Sequence, residues 1–371
     1  MWRMRYINIY SVTLLIWTFA SVAAGHMKIG NVPIKRTKSF GRFAVITFIL
    51  IFGSFMAFRA ESVGTDTRHY NQLFRNIANV EHVWNFYEFW KYPVYSVIGR
   101  LLSFVSKDPQ IMVAFTGFFI VGANAFFIYR MSRDVMLSLY LYVVLDLYMF
   151  AFNITRQNFA MAVILLAYLQ FEDSRPKQGI ALIFLAMGCH SLGILGFAMV
   201  PLFVIKNQKK MRQIYLCGSF LFAAVGIRLA TLFVRIFSFY TLSSSSGFSF
   251  FEADSSGNRM YTAFLILAIE GVGLYLFRVH EWSEEDRLKF SRLASISNIA
   301  LFSMIFMRHY YAFARAERFF LQFVVVLIPL ILSNVHKKNN YRIIKYMLAA
   351  VLFLPYVTKL YHYLPYANFW N

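Results

Sequence analysis

An all-α integral membrane fold follows from three features of this chain. Apolar residues come in long continuous runs, not in the ~10-residue alternating segments of a closed barrel. Hydrophobic residues make up 59% of the 371 positions and charged ones 15%, against roughly a quarter charged in soluble domains. The basic residues, which bring the net charge to +20, collect in short segments between the runs. That pattern orients membrane helices and attracts anionic lipid phosphates, so the charge is assigned to membrane lipids and not to nucleic acid. Cys189 and Cys217 lie in different apolar segments and form neither a metal nor a disulfide pattern.

Taken in order, the apolar windows fall at 7–24, 43–58, 94–105, 111–129, 135–152, 157–171, 179–205, 213–237, 261–278, 290–307, 319–334 and 343–360. A span needs about 20 residues, so the prediction is a single polytopic domain over 1–371 with about 10–12 transmembrane helices. Arg3, Arg5 and the first run resemble a signal peptide. Cleavage would strand Lys28, Lys35, Arg36, Lys38 and Arg42 outside, so residues 7–24 are read as a retained helix. The basic loops 25–42, 130–134, 172–178, 206–212, 278–292 and 336–345 are placed in the cytoplasm. The loops 59–92, 153–156, 238–259 and 308–318 are placed outside, with Glu252 and Asp254 and no Lys or Arg between Ser243 and Gly257. Residues 94–105, short and interrupted by Arg100, are read as a helix in the outer interface. Residues 179–205 are flanked by basic loops at both ends and broken by Gly188-Cys189-His190-Ser191. Each half gives only ~18 Å of helix against a ~30 Å hydrocarbon core. A hairpin with His190 at its outer tip satisfies both constraints.

Four polar groups meet at the outer face on this topology. They are Arg59 with Asp66, Arg68, His69 and Tyr70; Asn153, Arg156 and Gln157; His190-Ser191; and Arg308 to Tyr311 followed by Arg315, Glu317 and Arg318. Asn153, Arg156 and Gln157 have the i, i+3, i+4 spacing of one helix face, and so do Arg315, Arg318 and Gln322. Each has a competing structural reading. Arginines at helix ends snorkel to headgroups, which applies to Arg59 and Arg308. Asp66 is placed to cap a helix, and His190 to close the hairpin. Asp146, Glu270, Arg228 and Arg235 are read as structural. Arginines around an outer cavity suit phosphate or pyrophosphate, because the guanidinium fork binds two oxygens at once. A nearby carboxylate or imidazole accepts a proton from a sugar hydroxyl. The chain has no GxxxxGK[ST], HExxH, DxD pair or cysteine cluster, which argues against NTPases, zinc proteases and metal-dependent nucleotide-sugar transferases.

Several pieces recur in a particular order: Phe58-Arg59, Gly64-x-Asp66-x-x-x-Tyr70 with Phe74, Pro93-x-Tyr95, Arg156-Gln157, Lys177, His190-Ser191, and Arg315-x-x-x-Phe319-Phe320. In this order the chain resembles the EpsG-like branch of the Wzy-type polysaccharide polymerases. It departs from that pattern at Tyr92, where a Glu is favoured before the proline, and at Phe319, often Tyr. The resemblance implies an enzyme of the bacterial cytoplasmic membrane with its active site outside. It would join undecaprenyl-pyrophosphate-linked oligosaccharides into a surface polysaccharide, with no cofactor and no metal, alongside a flippase and a chain-length regulator. Asp66, His190 and Arg156 are then the catalytic candidates. Arg59, Arg68, Tyr70, Gln157, Arg315 and Arg318 are the substrate-binding ones. Two other classes stay open: a lipid-linked sugar transporter, and an O-antigen ligase-like glycosyltransferase.

Overall fold

The computed structural model describes residues 9–26, 28–29, 32–33, 38–221, 225, 260–306, 311–335 and 338–359. Arg3, Arg5, Arg228, Arg235, Arg308, His309, Tyr310 and the expected outer loop 238–259 lie outside the described residues. The helices in chain order are α1 Ile9–His26, α2 Lys38–Ala57, α3 Thr67–Asn79, α4 Pro93–Ser103, α5 Gln110–Met131, α6 Val135–Val144, α7 Leu147–Asn153, α8 Thr155–Glu172, α9 Pro176–Cys189 and α10 Val200–Val204. They continue with α11 at 208–221, then α12 Met260–Val279, α13 Glu284–Phe306, α14 Tyr311–Leu321, α15 Val324–Ser333 and α16 Lys338–Lys359. Among the described residues, extended pairing is confined to the two-residue antiparallel segments Lys28–Ile29 and Val32–Pro33. Where the sequence reads as a single domain, packing divides the chain into two compact units. These are Met1–Phe197 with Lys338–Asn371, and Ala198–Lys337.

Helix direction in the first unit follows from a few contacts. Trp17 Nε1 donates to Thr47 Oγ1 at 3.2 Å and the Tyr10 and Phe55 rings lie 5.7 Å apart, so α1 and α2 are antiparallel. Arg42 Nε reaches Tyr129 OH at 3.3 Å, and Phe58 meets Phe118 at 6.1 Å, so α2 and α5 are antiparallel too. Phe119 stacks on Phe159 at 4.4 Å and Phe127 meets Tyr168 at 5.9 Å, which makes α5 and α8 parallel. The result is a unit with two chemically distinct ends. At one end the basic loops converge: Arg130 pairs with Asp173 at 2.7 Å, and Asp134 takes both Lys345 and the Tyr341 hydroxyl. The opposite end carries the 59–92 segment, the α7–α8 junction and His190.

The hairpin expected within 179–205 is present in this unit. α9 ends at His190, whose backbone is extended (φ −158°, ψ 138°). The chain then returns as a 3-10 helix, Ser191–Met199. A Cβ on Gly193 would sit 2.5 Å from the Ala186 carbonyl carbon, and Phe184 and Phe197 rings meet at 5.6 Å. The return limb to Phe197 therefore lies directly along α9. α4 shows the two-faced character expected of an interfacial helix: Tyr95, Ser96, Gly99 and Ser103 are buried while Val97, Leu101 and Phe104 are exposed. Its Arg100 is turned inward, donating to the carbonyls of Ala78 (3.0 Å) and Glu81 (3.1 Å) at the end of α3.

Among the described residues, two helices are long and apolar enough to cross a membrane, Phe40–Ala57 and Gln110–Met131. A third candidate is α6 with α7, bent by 47° at a break where Asp146 takes a left-handed φ of 67°. Several other windows are shortened or interrupted. α9 has 14 residues, α8 opens with the polar Thr155-Arg156-Gln157-Asn158, and α15 has 10 residues with Pro329 inside. In the second unit, α12 and α13 form a hairpin knotted by Phe277, Trp282 and Phe290, with Phe277 stacked on Phe290 at 5.4 Å. Ser291 donates to Gln208 at 3.1 Å and Arg212 lies 4.8 Å from the Phe277 ring. The basic segments 206–212 and 278–292 thus meet within that unit.

Asp134 carries two loads at the basic end: it caps α6 by accepting from Leu137 N–H at 3.0 Å, and it neutralises Lys345. Burial opposes its ionisation, but Lys345 and the hydrogen bonds from Lys345, Tyr341 and Leu137 hold its pKa below the usual carboxylate value. Asp134→Ala should cost about 3 kcal/mol at neutral pH, the scale for a broken buried pair. The sign of the pH effect follows from the lowered pKa. The stabilisation is complete above the unfolded value of about 4 and fades as pH falls toward the folded one. Thermal melts of wild type and Asp134→Asn should therefore differ at pH 7 and converge below about pH 4.

Candidate functional site

The site begins where α2 ends. Arg59 is 1% exposed and its donors are spent within the protein. Nη1 donates to Met56 O (3.1 Å), Nε to Thr67 Oγ1 (3.3 Å) and Nη2 to Thr155 Oγ1 (3.1 Å), with the Phe152 ring 5.1 Å from Cζ. Burial pulls its pKa down to about 10, so it stays a cation at neutral pH. Among the described residues it has no carboxylate partner. Arg59 is expected from the sequence to bind substrate; in the structure it locks α2, α3 and α8 together and presents no surface to a ligand.

The turn after Arg59 requires glycine. Gly64 has φ +87°, and a Cβ there would lie 2.3 Å from the Phe152 carbonyl oxygen. With the backbone this close, Thr65 N–H donates to Asn153 Oδ1 at 3.1 Å. Asp66 then stands at the N-cap position of α3 but makes no side-chain cap bond; its carboxylate accepts from the Thr65 hydroxyl at 3.1 Å. The expected capping role is thus unfilled. α3 follows with Tyr70, Leu73, Phe74, Ile77 and Ala78 buried at helical spacing, while Arg68 and His69 face outward. Asp66 and Tyr70 lie one turn apart on the same side, about 6 Å along the axis.

The i, i+3, i+4 reading of Asn153, Arg156 and Gln157 does not hold. Asn153 ends α7, and Ile154 (φ −113°, ψ 65°) breaks the helix before Thr155 opens α8. Asn153 instead holds the Thr65 turn. Gln157 is 0% exposed, with Nε2 3.7 Å from Met161 Sδ one turn along, so it faces the core and not a ligand.

Arg156 is the centre of the site. Its Cζ lies 4.0 Å from the Tyr92 ring centroid, 5.5 Å from Tyr70 and 5.8 Å from Tyr95. A desolvated guanidinium on an aromatic face gains up to about 2 kcal/mol. Nη1 donates to Glu88 Oε2 at 2.6 Å, while the buried Nε has no hydrogen-bond partner among the described residues. An unmet buried donor costs about 1–3 kcal/mol, which an oxyanion on that edge would recover. The Tyr92 ring is shared: His190 stacks on it at 5.9 Å and 23°, and Lys91 Nζ lies 5.3 Å from its centroid. His190 Nδ1 accepts from Leu192 N–H at 3.2 Å, which puts the proton of the neutral ring on Nε2. Beside Glu88, Tyr87 has its pKa raised by burial and by that carboxylate.

The first unit thus brings together Asp66 and Tyr70, Arg156, and His190 from three distant stretches of sequence. It does not bring Arg68, which is exposed on α3, or the inward-facing Arg59 and Gln157. Arg315 and Arg318 belong to α14 of the second unit, where Glu317 and Arg318 are buried. Sequence reasoning missed Glu88, Lys91, and the part played by Tyr92 and Tyr95 as cage walls. The one signal for Glu88 was its position one helical turn before Tyr92, at the site where a carboxylate is favoured before the proline.

The Gly64 turn yields a test of this construction. Gly64→Ala should strain the left-handed backbone and drive Cβ into Phe152 O, costing about 1–3 kcal/mol as a lowered Tm. Asn153→Ala should lower Tm less, because it removes one hydrogen bond of about 1 kcal/mol.

No curated protein and no solved structure matches the chain. The model of the EpsG family matches residues 42–371, which include every residue placed in the site above. The chain belongs to the EpsG family.

Proposed function

We propose that this protein is a polytopic membrane glycosyltransferase that polymerises undecaprenyl-pyrophosphate-linked oligosaccharide units into a surface polysaccharide at the outer face of the bacterial cytoplasmic membrane. The family supports a polysaccharide-polymerase role. The apolar helices and the segregation of basic loops at one end of the first unit support the membrane placement. The observation that carries the chemistry is the buried, unpartnered Nε of Arg156 inside a cage of three tyrosines. A planar fork with one edge unmet suits a phosphate oxygen pair, and Lys91 on the same Tyr92 ring adds a second cation.

The acceptor hydroxyl oxygen attacks the anomeric carbon of the lipid-linked glycan and forms the new glycosidic bond. The bond from that carbon to the pyrophosphate oxygen breaks, and its electron pair leaves with the pyrophosphate. Arg156 stabilises the charge that builds there. The hydroxyl proton passes to a base, assigned to Asp66 because among the described residues its carboxylate has only the Thr65 hydroxyl as partner. His190, with Nδ1 already accepting, presents an N–H and is assigned to orient substrate. Tyr70 and the cage tyrosines hold the cation in place; their exposed neighbours Tyr87 and Trp90 are assigned to sugar contact.

Surface glycan from a deletion strain carrying plasmid-borne variants tests this. Arg156→Ala should leave single repeat units in place of a ladder, at normal protein level. Arg156→Lys, which keeps charge but loses the fork, should recover little of it. A full ladder with Lys would reduce Arg156 to a point charge, and loss of all glycan on deletion would favour a flippase. With purified variants and lipid-linked units, Asp66→Asn should slow polymerisation by ~10²–10⁴-fold, the range for loss of a general base. His190→Gln should cost less; the reverse order would exchange their roles.

A further inference from the structure

The counter-ion of Arg156 presents a problem for the reading above. A caged guanidinium needs an anion nearby, because an isolated buried charge is costly. Glu88 supplies it at 2.6 Å, with side-chain exposures of 11% for Arg156 and 19% for Glu88. A phosphate arriving on the same guanidinium would place two anionic groups within a few ångströms of each other. At a separation of about 4 Å such a pair repels strongly even at an effective dielectric of about 20. Both anions cannot stay on Arg156 without losing much of what the fork gains.

The Glu88 side chain is held at a single point. Among the described residues, Arg156 is the only partner of the Glu88 side chain. The backbone from 83 to 92 is a short 3-10 turn, Val83–Asn85, followed by local turn bonds such as Phe89 N–H to Phe86 O (2.9 Å) and Lys91 N–H to Glu88 O (3.1 Å). Phe86 and Tyr92 are buried and pin its ends, while Tyr87 and Trp90 between them are 70% and 82% exposed. The backbone of the segment is anchored by Phe86, Phe89 and Tyr92, while the Glu88 side chain itself is held by its ion pair alone among the described residues.

We infer that Glu88 is a built-in stand-in for the diphosphate: it occupies Arg156 and is displaced when a diphosphate group binds, so that ligand binding and outward release of the Glu88 side chain, between the exposed Tyr87 and Trp90, are one event. The inference rests on Arg156 being an anion site, as proposed above. It predicts an unusual sign. Removing a carboxylate from a binding site ordinarily removes a contact; here it removes a competitor.

The test uses the full-length protein in detergent and inorganic pyrophosphate as the probe, followed by calorimetry and by tryptophan emission. Trp84 and Trp90 flank Glu88 and report on the segment. Wild type should bind pyrophosphate with a change in emission, and Arg156→Ala should not bind. Glu88→Gln should bind about tenfold more tightly, equivalent to 1.4 kcal/mol, and should show part of the emission change before pyrophosphate is added. Glu88→Asp, which keeps the charge but shortens the reach, should fall between them and serves if the Gln variant does not fold. Arg156-dependent binding that Glu88→Gln leaves unchanged or weakens would overturn the exchange alone, making Glu88 a fixed support for Arg156. No binding by wild type or by Glu88→Gln would overturn both the exchange and the anion site.

Discussion

A guanidinium sealed from water holds the site end of the first unit together. Arg59 joins the last turn of α2, the first residue of α3 and the first residue of α8 through three hydrogen bonds, all to neutral oxygens. Those segments are separated by up to 96 residues in sequence. Everything that gives the site its shape is downstream of this contact. It places the Gly64 turn against α7, the turn places Asp66 and α3, and α3 brings Tyr70 beneath Arg156. A buried cation is an expensive fastener, since each unmet donor would cost about 1–3 kcal/mol. The same cost makes the arrangement specific: only a packing that supplies all three oxygens is tolerated.

The cage around Arg156 works by a different principle. Tyrosine faces offer a soft negative surface that accepts a cation without taking up its hydrogen-bonding capacity. The guanidinium is thus held in position while one edge stays chemically unsatisfied. Walls of Asp or Glu would have fixed Arg156 equally well and cancelled its charge. One carboxylate, reaching a single nitrogen of the guanidinium, balances the charge without closing the site.

Much of the architecture was legible from composition and punctuation. The basic loops that the positive-inside pattern assigned to one side do meet at one end within each unit, because helix direction alternates and loops of like position must coincide. The hairpin was legible because Gly188-Cys189-His190-Ser191 interrupts a run too short to be two spans. Long-range pairing was not legible. Glu88 and Arg156 are 68 positions apart, and no local pattern marks an acid whose partner lies across the fold. The Asn153 assignment failed because helical spacing was extended through Ile154, where the backbone leaves helical geometry for a reason that is tertiary: Thr65 and Arg59 both bind at that junction. Arg59 was read as ligand-facing because an arginine at a helix end looks the same in sequence whether it snorkels outward or is covered by α3.

The lack of a carboxylate beside Arg59 has an electrostatic consequence. Its charge is not cancelled locally, and it is bonded to Thr155, the residue before Arg156. In a poorly polarisable interior such a charge is weakly screened and acts through space. Arg59 therefore sets a standing positive potential over the neighbouring pocket. Such a potential favours anions over cations nearby without contact, much as a fixed electrode behind an insulating wall sets the sign of what gathers on the other side.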